Sequence, residues 1–291
     1  MSELNALWSL WKDHPPLQIP STYYTLIGFS LAALRSNFII GELGIMLDAG
    51  LSTNYSPDYI FVTHTHADHC ANLPYDLYNQ NPEQKKTQIY VPQQSKEKFF
   101  QLIESSYQLS FKENLEQGHS LNHYDLIGVE DQQIIPIIIK NKKFNLEIVE
   151  CDHGVPCVGF GLIEIRSKLK DEYVNLPGRE ISALKKSGQV ITKEVELPFF
   201  IYLGDTSKEI LKNQTLEKYK NIMIECTFIL DDEIDQAEKT KHIHWNSLEP
   251  YIISHPQTNF ILYHFSQRYK KSEIQKFFEN RKLDNVIPWI S

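Results

Sequence analysis

The chain has 291 residues, 42% of them hydrophobic and 23% charged, which is typical of a globular protein and argues against disorder. Its formal net charge of −8 argues against binding nucleic acid through overall charge, so an RNA partner would need a local basic patch or bound metal ions. The four cysteines form no CxxC pair, which argues against a disulfide-stapled secreted protein.

The N-terminal stretch, residues 1–16, lacks a basic segment followed by an apolar run, so it does not resemble a secretory signal. The longest apolar stretch, Tyr24–Leu34, is well short of the roughly 20 residues that a membrane helix needs. We therefore expect a cytoplasmic protein with no membrane partner. A chain of this length can bury one large core, and we predict a single domain over residues 1–291.

Short β-rich runs recur along the chain, and several end at a histidine or an acidic residue. The first two, Asn37–Ile40 and Ile45–Asp48, flank a glycine-containing turn and predict a hairpin. The later runs are Tyr59–Thr63 before His64, Phe144–Glu150 before Asp152 and His153, Phe199–Leu203 before Asp205, Asn221–Ile224 before Glu225, and Phe260–Tyr263 before His264. Because the ends of buried strands share one rim of a sheet, we expect these polar residues to converge.

Helical periodicity lies between these strands and favours sheets covered by helices. The predicted helices are Gln94–Leu109, Ser207–Tyr219, Ser247–Ser254 and Ser272–Asn280. The stretch Arg166–Lys193 differs, because it holds seven basic and three acidic residues, a local charge of +4. We interpret it as an excursion from the core between two strands. A solvated surface loop and an RNA-facing patch are equally open readings of it.

Three imidazoles and one carboxylate follow the run Tyr59–Thr63 almost immediately, in His64, His66, Asp68 and His69. Imidazole nitrogens and carboxylate oxygens bind zinc at about 2.0–2.2 Å, so a tight loop can direct such side chains at two adjacent ions. An isolated histidine is more often a surface or core residue. This H-x-H-x-D-H pattern after a buried strand, with further ligand types at later strand ends, indicates a metal site instead.

The segment HTHADH resembles the signature of the metallo-β-lactamase superfamily. That resemblance implies an α/β fold in which two mixed β-sheets pack face to face with helices outside, an αββα sandwich. Four more segments resemble motifs of ribonuclease Z, the tRNA 3′-processing endonuclease: Asp152–Gly154 with Val158–Gly161, Gly204–Thr206, Glu225–Phe228 and His264–Tyr269. The match covers about residues 25–270 in the same order, and Tyr173–Gln189 resembles the short plant-type members.

The resemblance implies a site for two divalent metal ions. One ion would be held by His64, His66 and His153 and the other by Asp68, His69 and His264, with Asp205 bridging both. Zinc is the expected metal, while manganese, iron and cobalt suit the same ligands. Two such ions can activate a water and stabilise a phosphoryl transition state. Asp68 would also orient or deprotonate that water.

The resemblance also implies a general acid for the leaving group. His244 resembles the family's catalytic histidine and Glu225 would orient it, with His242 as the alternative acid. Ser266 and Arg268, just after the last metal histidine, could contact substrate phosphate oxygens. Asp48 resembles a residue that supports the metal loop.

We therefore predict a metal-dependent phosphodiesterase and endoribonuclease of the ribonuclease Z type, with precursor tRNA as its RNA substrate. Another phosphodiesterase or small-ester hydrolase on the same site is the first alternative, and a metal-containing binding module without catalysis is the second. The excursion at 166–193 is shorter than the arm by which many family members dock tRNA. By resemblance alone we expect a homodimer in which each excursion reaches toward the partner's active site.

Overall fold

The computed structural model describes residues 9–78, 86–110 and 124–291. Its strands form two seven-stranded sheets in which spatial neighbours are consecutive in the sequence. The first sheet contains β1 Leu17–Gln18, β2 Thr25–Leu31, β3 Arg35–Ile40, β4 Ile45–Leu47, β5 Tyr59–Phe61, β6 Thr87–Pro92 and β7 Tyr124–Val129. The second contains β8 Ile134–Ile139, β9 Lys142–Cys151, β10 Cys157–Leu169, β11 Thr192–Tyr202, β12 Asn221–Glu225, β13 Asn259–Tyr263 and β14 Val286–Pro288.

Both sheets are mixed. Strands β1 to β4 and β8 to β11 pair antiparallel, whereas β4 to β7 and β11 to β14 pair parallel. Parallel neighbours need crossover connections, and their carboxyl ends lie at one edge. The backbone N–H of Val158, at the start of β10, donates to Thr63 O just after β5 over 3.1 Å. This bond joins the two sheets at the rim where the predicted ligands begin.

Seven helices are defined within the described residues. They are α1 Ala67–Cys70, α2 Leu73–Tyr78, α3 Lys96–Ser110, α4 Gly178–Lys186, α5 Ile234–Thr240, α6 Trp245–Ser254 and α7 Lys271–Glu279. Short 3-10 turns add Gly41–Leu43, Gln93–Ser95, Asp171–Tyr173, Lys208–Lys212, Gln214–Lys218 and Asp231–Glu233. Every helix in the described part of the chain is too short or too polar to cross a bilayer.

Three apolar clusters define the layers. Side chains such as Phe38, Phe61 and Phe160 fill the space between the sheets. Helices α1 to α3 cover the outer face of the first sheet, and α6 and α7 cover the outer face of the second. Each fully buried large apolar side chain contributes about 1.5–3 kcal/mol. The predicted αββα sandwich is confirmed, while the single domain over residues 1–291 stays a prediction.

The helix predicted over Ser207–Tyr219 is wrong. Two 3-10 turns occupy this stretch, and Asn213 between them is extended, with φ −80° and ψ 109°. Ser207 Oγ accepts from Glu209 N, and the Asn213 side chain accepts from Thr215 N. Side chains of this kind compete with a continuous helix by capping short turns. The other three predicted helices correspond to α3, α6 and α7, with bounds within two residues of those predicted.

The excursion at 166–193 is a structured arm rather than a loop, and we call it the basic arm. Strands β10 and β11 continue into it as a two-stranded ladder that ends at the pair Leu169 and Thr192. Helix α4 lies between them at the tip and exposes Lys185 and Lys186. The arm therefore presents cations on a defined scaffold.

Candidate metal centre

The seven side chains predicted to bind metal come together at one rim of the sandwich. Each follows a strand or begins the short helix after it, as expected from the strand ends. Among the described residues, three groups of potential ligand atoms have members within 4.8 Å of one another. The first is His64, His66, His153 and Asp205, the second is Asp68, His69 and His264, and a third joins Asp205 and His264 to His242. The geometry therefore reproduces the two ligand sets implied by the sequence, although their metal-binding role stays a prediction.

The spacing of ligand atoms matches that around bound cations. His66 Nδ1 lies 3.2 Å from His153 Nε2, and His69 Nε2 lies 3.3 Å from His264 Nε2. Ligands bound tetrahedrally at about 2.0–2.1 Å stand about 3.3 Å apart. Asp205 Oδ2 is 3.7 Å from His64 Nε2 and 3.4 Å from His264 Nε2. This carboxylate faces both groups, as a bridging ligand must.

Two buried ligand atoms have no hydrogen-bond partner, namely His64 Nε2 and Asp205 Oδ1. His69 Nε2 lies 3.5 Å from Asp205 Oδ1. Leaving a buried polar atom unsatisfied costs about 1–3 kcal/mol. A divalent cation removes this cost, so the residues fit two ions. The imidazole and carboxylate donors suit zinc, manganese, iron or cobalt.

The far nitrogen of four ligand imidazoles is fixed by a neighbour. His69 Nδ1 contacts Asp48 Oδ2 at 2.6 Å, His64 Nδ1 contacts Thr63 Oγ1 at 2.9 Å, His264 Nδ1 contacts Thr227 Oγ1 at 3.0 Å, and His153 Nδ1 contacts Lys241 O at 3.2 Å. A proton held at Nδ1 leaves the Nε2 lone pair directed at the ion. The rings are thus oriented by the protein itself.

Asp48 organises the loop that carries His69. It is fully buried, accepts from Thr63 N at 2.7 Å and accepts from the Tyr202 hydroxyl at 2.6 Å. Its backbone is left-handed, with φ +58°, and His264 shares this conformation at φ +64°. Left-handed backbone is rare for residues other than glycine and clusters at functional sites. Asp48 lies where the sequence predicted a support for the metal loop.

His242, rather than His244, lies beside Glu225. Its Nδ1 is 2.7 Å from Glu225 Oε1, and its ring lies 5.1 Å from that of His153 and 5.5 Å from that of His264. Burial alone lowers the pKa of His242, but the Glu225 carboxylate outweighs burial and raises the pKa to about 9. Cations bound nearby would lower the pKa again, toward the range in which a proton can be released.

The pairing of His244 with Glu225 that the sequence suggested is contradicted. His244 Nε2 donates to Leu230 O at 2.8 Å, and its Nδ1 accepts from Asn246 N at 3.0 Å. The residue is buried and caps the first turn of α6. The signal for this role was the helix start: a helix beginning at Trp245 rather than Ser247 makes His244 its N-cap.

A cavity of about 720 Å³ opens over the ligand cluster and is lined in part by Ser266 and Arg268. Ser266 N donates to Thr227 O at 3.0 Å, and Arg268 Nη1 lies 3.3 Å from Glu233 Oε1. Phe228 also lines the cavity, with the Arg268 guanidinium 6.0 Å from its ring. Contact of Ser266 and Arg268 with phosphate stays a prediction, and the position of Phe228 was not foreseen.

Known proteins are similar to this chain in fold and, over most of its length, in sequence, although no family model matches the chain. The tRNase Z TRZ1 of Arabidopsis thaliana is 29% identical over 264 residues, which cover 87% of this chain and 89% of that protein. The crystal structure of the short form of human tRNase Z has a TM-score of 0.55 at 17% identity and covers 91% of this chain and 95% of that one. The metallo-β-lactamase fold protein YhfI from Bacillus subtilis has a TM-score of 0.54 at 15% identity, with 87% and 88% covered. The predicted fold and the resemblance to ribonuclease Z are confirmed.

Gly50 allows the metal loop to approach the sheet, and we predict that Gly50→Ala weakens metal binding. A Cβ at Gly50 would lie 1.7 Å from Asp68 O and 2.8 Å from Ser36 O, so the backbone that carries Asp68 must move. Displaced supports of a metal site cost about 10–100-fold in metal affinity. Chelator competition on protein shown to be folded by circular dichroism measures this loss.

Gly154→Ala is the matched control. Gly154 follows His153 directly, yet a Cβ there meets nothing within 4 Å. This variant should therefore bind metal as the original chain does. Unchanged metal affinity in Gly50→Ala would show that the close approach of residue 50 to Asp68 does not determine the site.

Proposed function

We propose that this chain, a relative of the plant tRNase Z proteins, is a metal-dependent phosphodiesterase and endoribonuclease that removes the 3′ trailer of precursor tRNA. One observation carries the proposal: His242, which is bonded to the buried Glu225, lines the same cavity as the ligand cluster. A two-metal cluster alone serves many hydrolases. A carboxylate-oriented histidine beside it provides an acid for a poor leaving group such as a ribose oxygen.

The donor set would hold two divalent cations, which we propose to be zinc ions, with manganese, iron or cobalt as the alternatives. When bound, they would lower the pKa of an attacking water and neutralise charge on the phosphoryl oxygens. Asp68 Oδ2 lies 3.3 Å from His264 Nε2, and Asp68 lines the cavity. It can orient the water and accept its proton. Asp205 would keep the two cations at a fixed separation.

His242 would donate a proton to the leaving 3′-oxygen. Glu225 is fully buried, accepts from Thr206 N at 2.9 Å and holds the Nδ1–H of His242, so the Nε2 proton is the one available. Water loses one proton to Asp68 while the ribose oxygen gains one from His242. The products are a tRNA with a 3′-hydroxyl after the discriminator nucleotide and a trailer with a 5′-phosphate. Ser266 and Arg268 would contact the phosphate.

The short basic arm supports a second candidate function, a phosphodiesterase that acts on smaller substrates. The arm consists only of residues 166–193, so it offers little surface for a whole tRNA. A binding module without catalysis is disfavoured, because the ligand cluster and the His242–Glu225 pair are both complete. The two catalytic candidates share the centre and differ in how substrate is recognised.

We predict that His242→Ala slows precursor-tRNA cleavage about 100-fold or more, in the range of a lost general acid. Hydrolysis of bis(p-nitrophenyl) phosphate should fall far less, because p-nitrophenolate leaves without protonation. Metal content should be unchanged. Single-turnover rates on both substrates, with elemental analysis of the protein, measure these effects.

His244→Ala is the matched control for that experiment. It removes a helix cap worth about 1 kcal/mol and should lower thermal stability while leaving both rates within a few-fold. Precursor cleavage that survives His242→Ala but is lost in His244→Ala would reverse the assignment of the acid. Wild-type protein that cleaves only the small diester would favour the second candidate function.

The basic arm gives a test of RNA binding that is separate from chemistry. We predict that Lys185→Glu with Lys186→Glu raises KM for precursor tRNA on the order of ten-fold, more steeply at low salt, because two phosphate contacts become repulsive. Rates on bis(p-nitrophenyl) phosphate should not change. Lys98→Glu with Lys276→Glu makes the same charge change on α3 and α7 and should leave KM unaltered. Equal effects of the two double substitutions would show that the basic arm has no specific role in RNA recognition.

We further propose, from the resemblance alone, that the chain acts in the cytoplasm as a homodimer in which each basic arm reaches toward the partner's active site. Light scattering should then give twice the mass of one chain at assay concentrations. Mixing chains that carry the Lys185/Lys186 change with chains that carry His242→Ala should restore precursor cleavage, since each arm serves the other active site. A monomer, or mixtures without any recovery, would exclude this arrangement.

A further inference from the structure

Lys241 connects the first ligand group to the proposed acid through the backbone. Helix α5 ends at Thr240, and Lys241 adopts φ 54° and ψ 50°, the left-handed conformation. His242 N then donates to Ala237 O at 3.0 Å, which closes the helix end. This reversal directs the next residue, His242, toward Glu225, whose Oε1 lies 2.7 Å from His242 Nδ1.

The carbonyl of Lys241 points away from Glu225, toward the candidate metal ligand His153. His153 Nδ1 lies 3.2 Å from Lys241 O. Because a carbonyl can only accept, this nitrogen carries the proton and His153 Nε2 is left as the ligand atom. His153 Nε2 faces His66 Nδ1 at 3.2 Å. One peptide unit therefore sets the tautomer of a metal ligand and the direction of the acid.

The Lys241 side chain closes a ring of contacts around the same two groups. Its Nζ lies 2.6 Å from Asp152 Oδ1, and Asp152 N donates to Thr206 Oγ1 at 3.1 Å. Thr206 N in turn donates to Glu225 Oε1 at 2.9 Å. The Lys241–Asp152 pair is almost half exposed on both sides, so solvent screening leaves it a small contribution. The backbone conformation of Lys241 is the stronger constraint.

We propose that Lys241 is a positioning residue that couples the cation at His64, His66 and His153 to the His242–Glu225 pair through its left-handed backbone. The effect on the acid rests on the proposed function. The effect on metal affinity does not, because it follows from the His153–Lys241 bond alone. Loss of the left-handed turn would move the Lys241 carbonyl and the His242 ring together.

The left-handed conformation can be tested separately from the Lys241 charge. Asparagine tolerates positive φ, whereas a β-branched residue does not. Lys241→Asn and Lys241→Val both remove the ammonium group, but only the second opposes the turn. We expect Lys241→Val to bind metal on the order of ten-fold more weakly, and Lys241→Asn to stay within about three-fold of the original chain.

Lys282 provides a matched control, because it is a second exposed lysine with left-handed backbone, at φ 52°, and does not line the cavity. Lys282→Val should lower the melting temperature without weakening metal binding. Metal affinity is measured by chelator competition and melting temperature by calorimetry. If Lys241→Val does not fold, Lys241→Ala serves instead, with a smaller loss expected because alanine opposes positive φ without a branched Cβ.

Equal metal affinity in the valine and asparagine variants of Lys241 would overturn the proposal, as would a comparable loss in Lys282→Val. At saturating metal, Lys241→Val should also slow precursor-tRNA cleavage more than bis(p-nitrophenyl) phosphate hydrolysis, because only the first reaction needs the acid. Equal slowing of both reactions would show that Lys241 affects metal binding but not the proposed acid. If the original chain does not cleave precursor tRNA, the proposed function fails, while the difference in metal affinity still decides the role of Lys241.

Discussion

The structure depends on holding several imidazole nitrogens and carboxylate oxygens, which can bind protons or metal ions, close together at a buried rim. His64, His69 and His264 are almost fully buried and share their surroundings with the carboxylate of Asp205. Facing imidazole lone pairs repel one another, and buried carboxylates lose their hydration. Such a cluster is stable only if each far nitrogen is already bonded and the near atoms share a cation. Four of the five candidate ligand imidazoles meet the first condition.

The fold meets that condition by placing backbone strain at the rim. Asp48, His264 and Lys241 all have positive φ at the end of a strand or helix. Each conformation is unfavourable locally, and the surrounding hydrogen bonds retain it. Asp48 is held by Thr63 and Tyr202, and His264 by Thr227. The candidate ligand atoms are consequently positioned by the packed sandwich, so that binding of cations would need no large rearrangement.

The sequence predicted the layers and the clustering of the candidate ligands because both come from strong local patterns. Buried strands that end in polar residues mark one rim, and HTHADH is dense enough to indicate metal without any contact information. It did not predict the two 3-10 turns between Ser207 and Tyr219, where side-chain caps override helical periodicity. Nor did it predict the ordered strands and helix of the basic arm, whose polar composition resembles a loop.

The choice between His242 and His244 shows where local pattern stops being sufficient. Two histidines separated by one residue in an extended chain would share a side, so spacing alone cannot distinguish them. The distinction comes from the helix ends. The left-handed Lys241 ends α5 and directs His242 toward Glu225. His244 is instead the N-cap of α6, and its two ring nitrogens are bonded to Asn246 N and Leu230 O. Capping, a property of two helices, thus decides which histidine meets Glu225, and the same helix end holds His153, a candidate metal ligand. The candidate metal ligand His153 and the proposed acid His242 are therefore joined within a single turn of backbone.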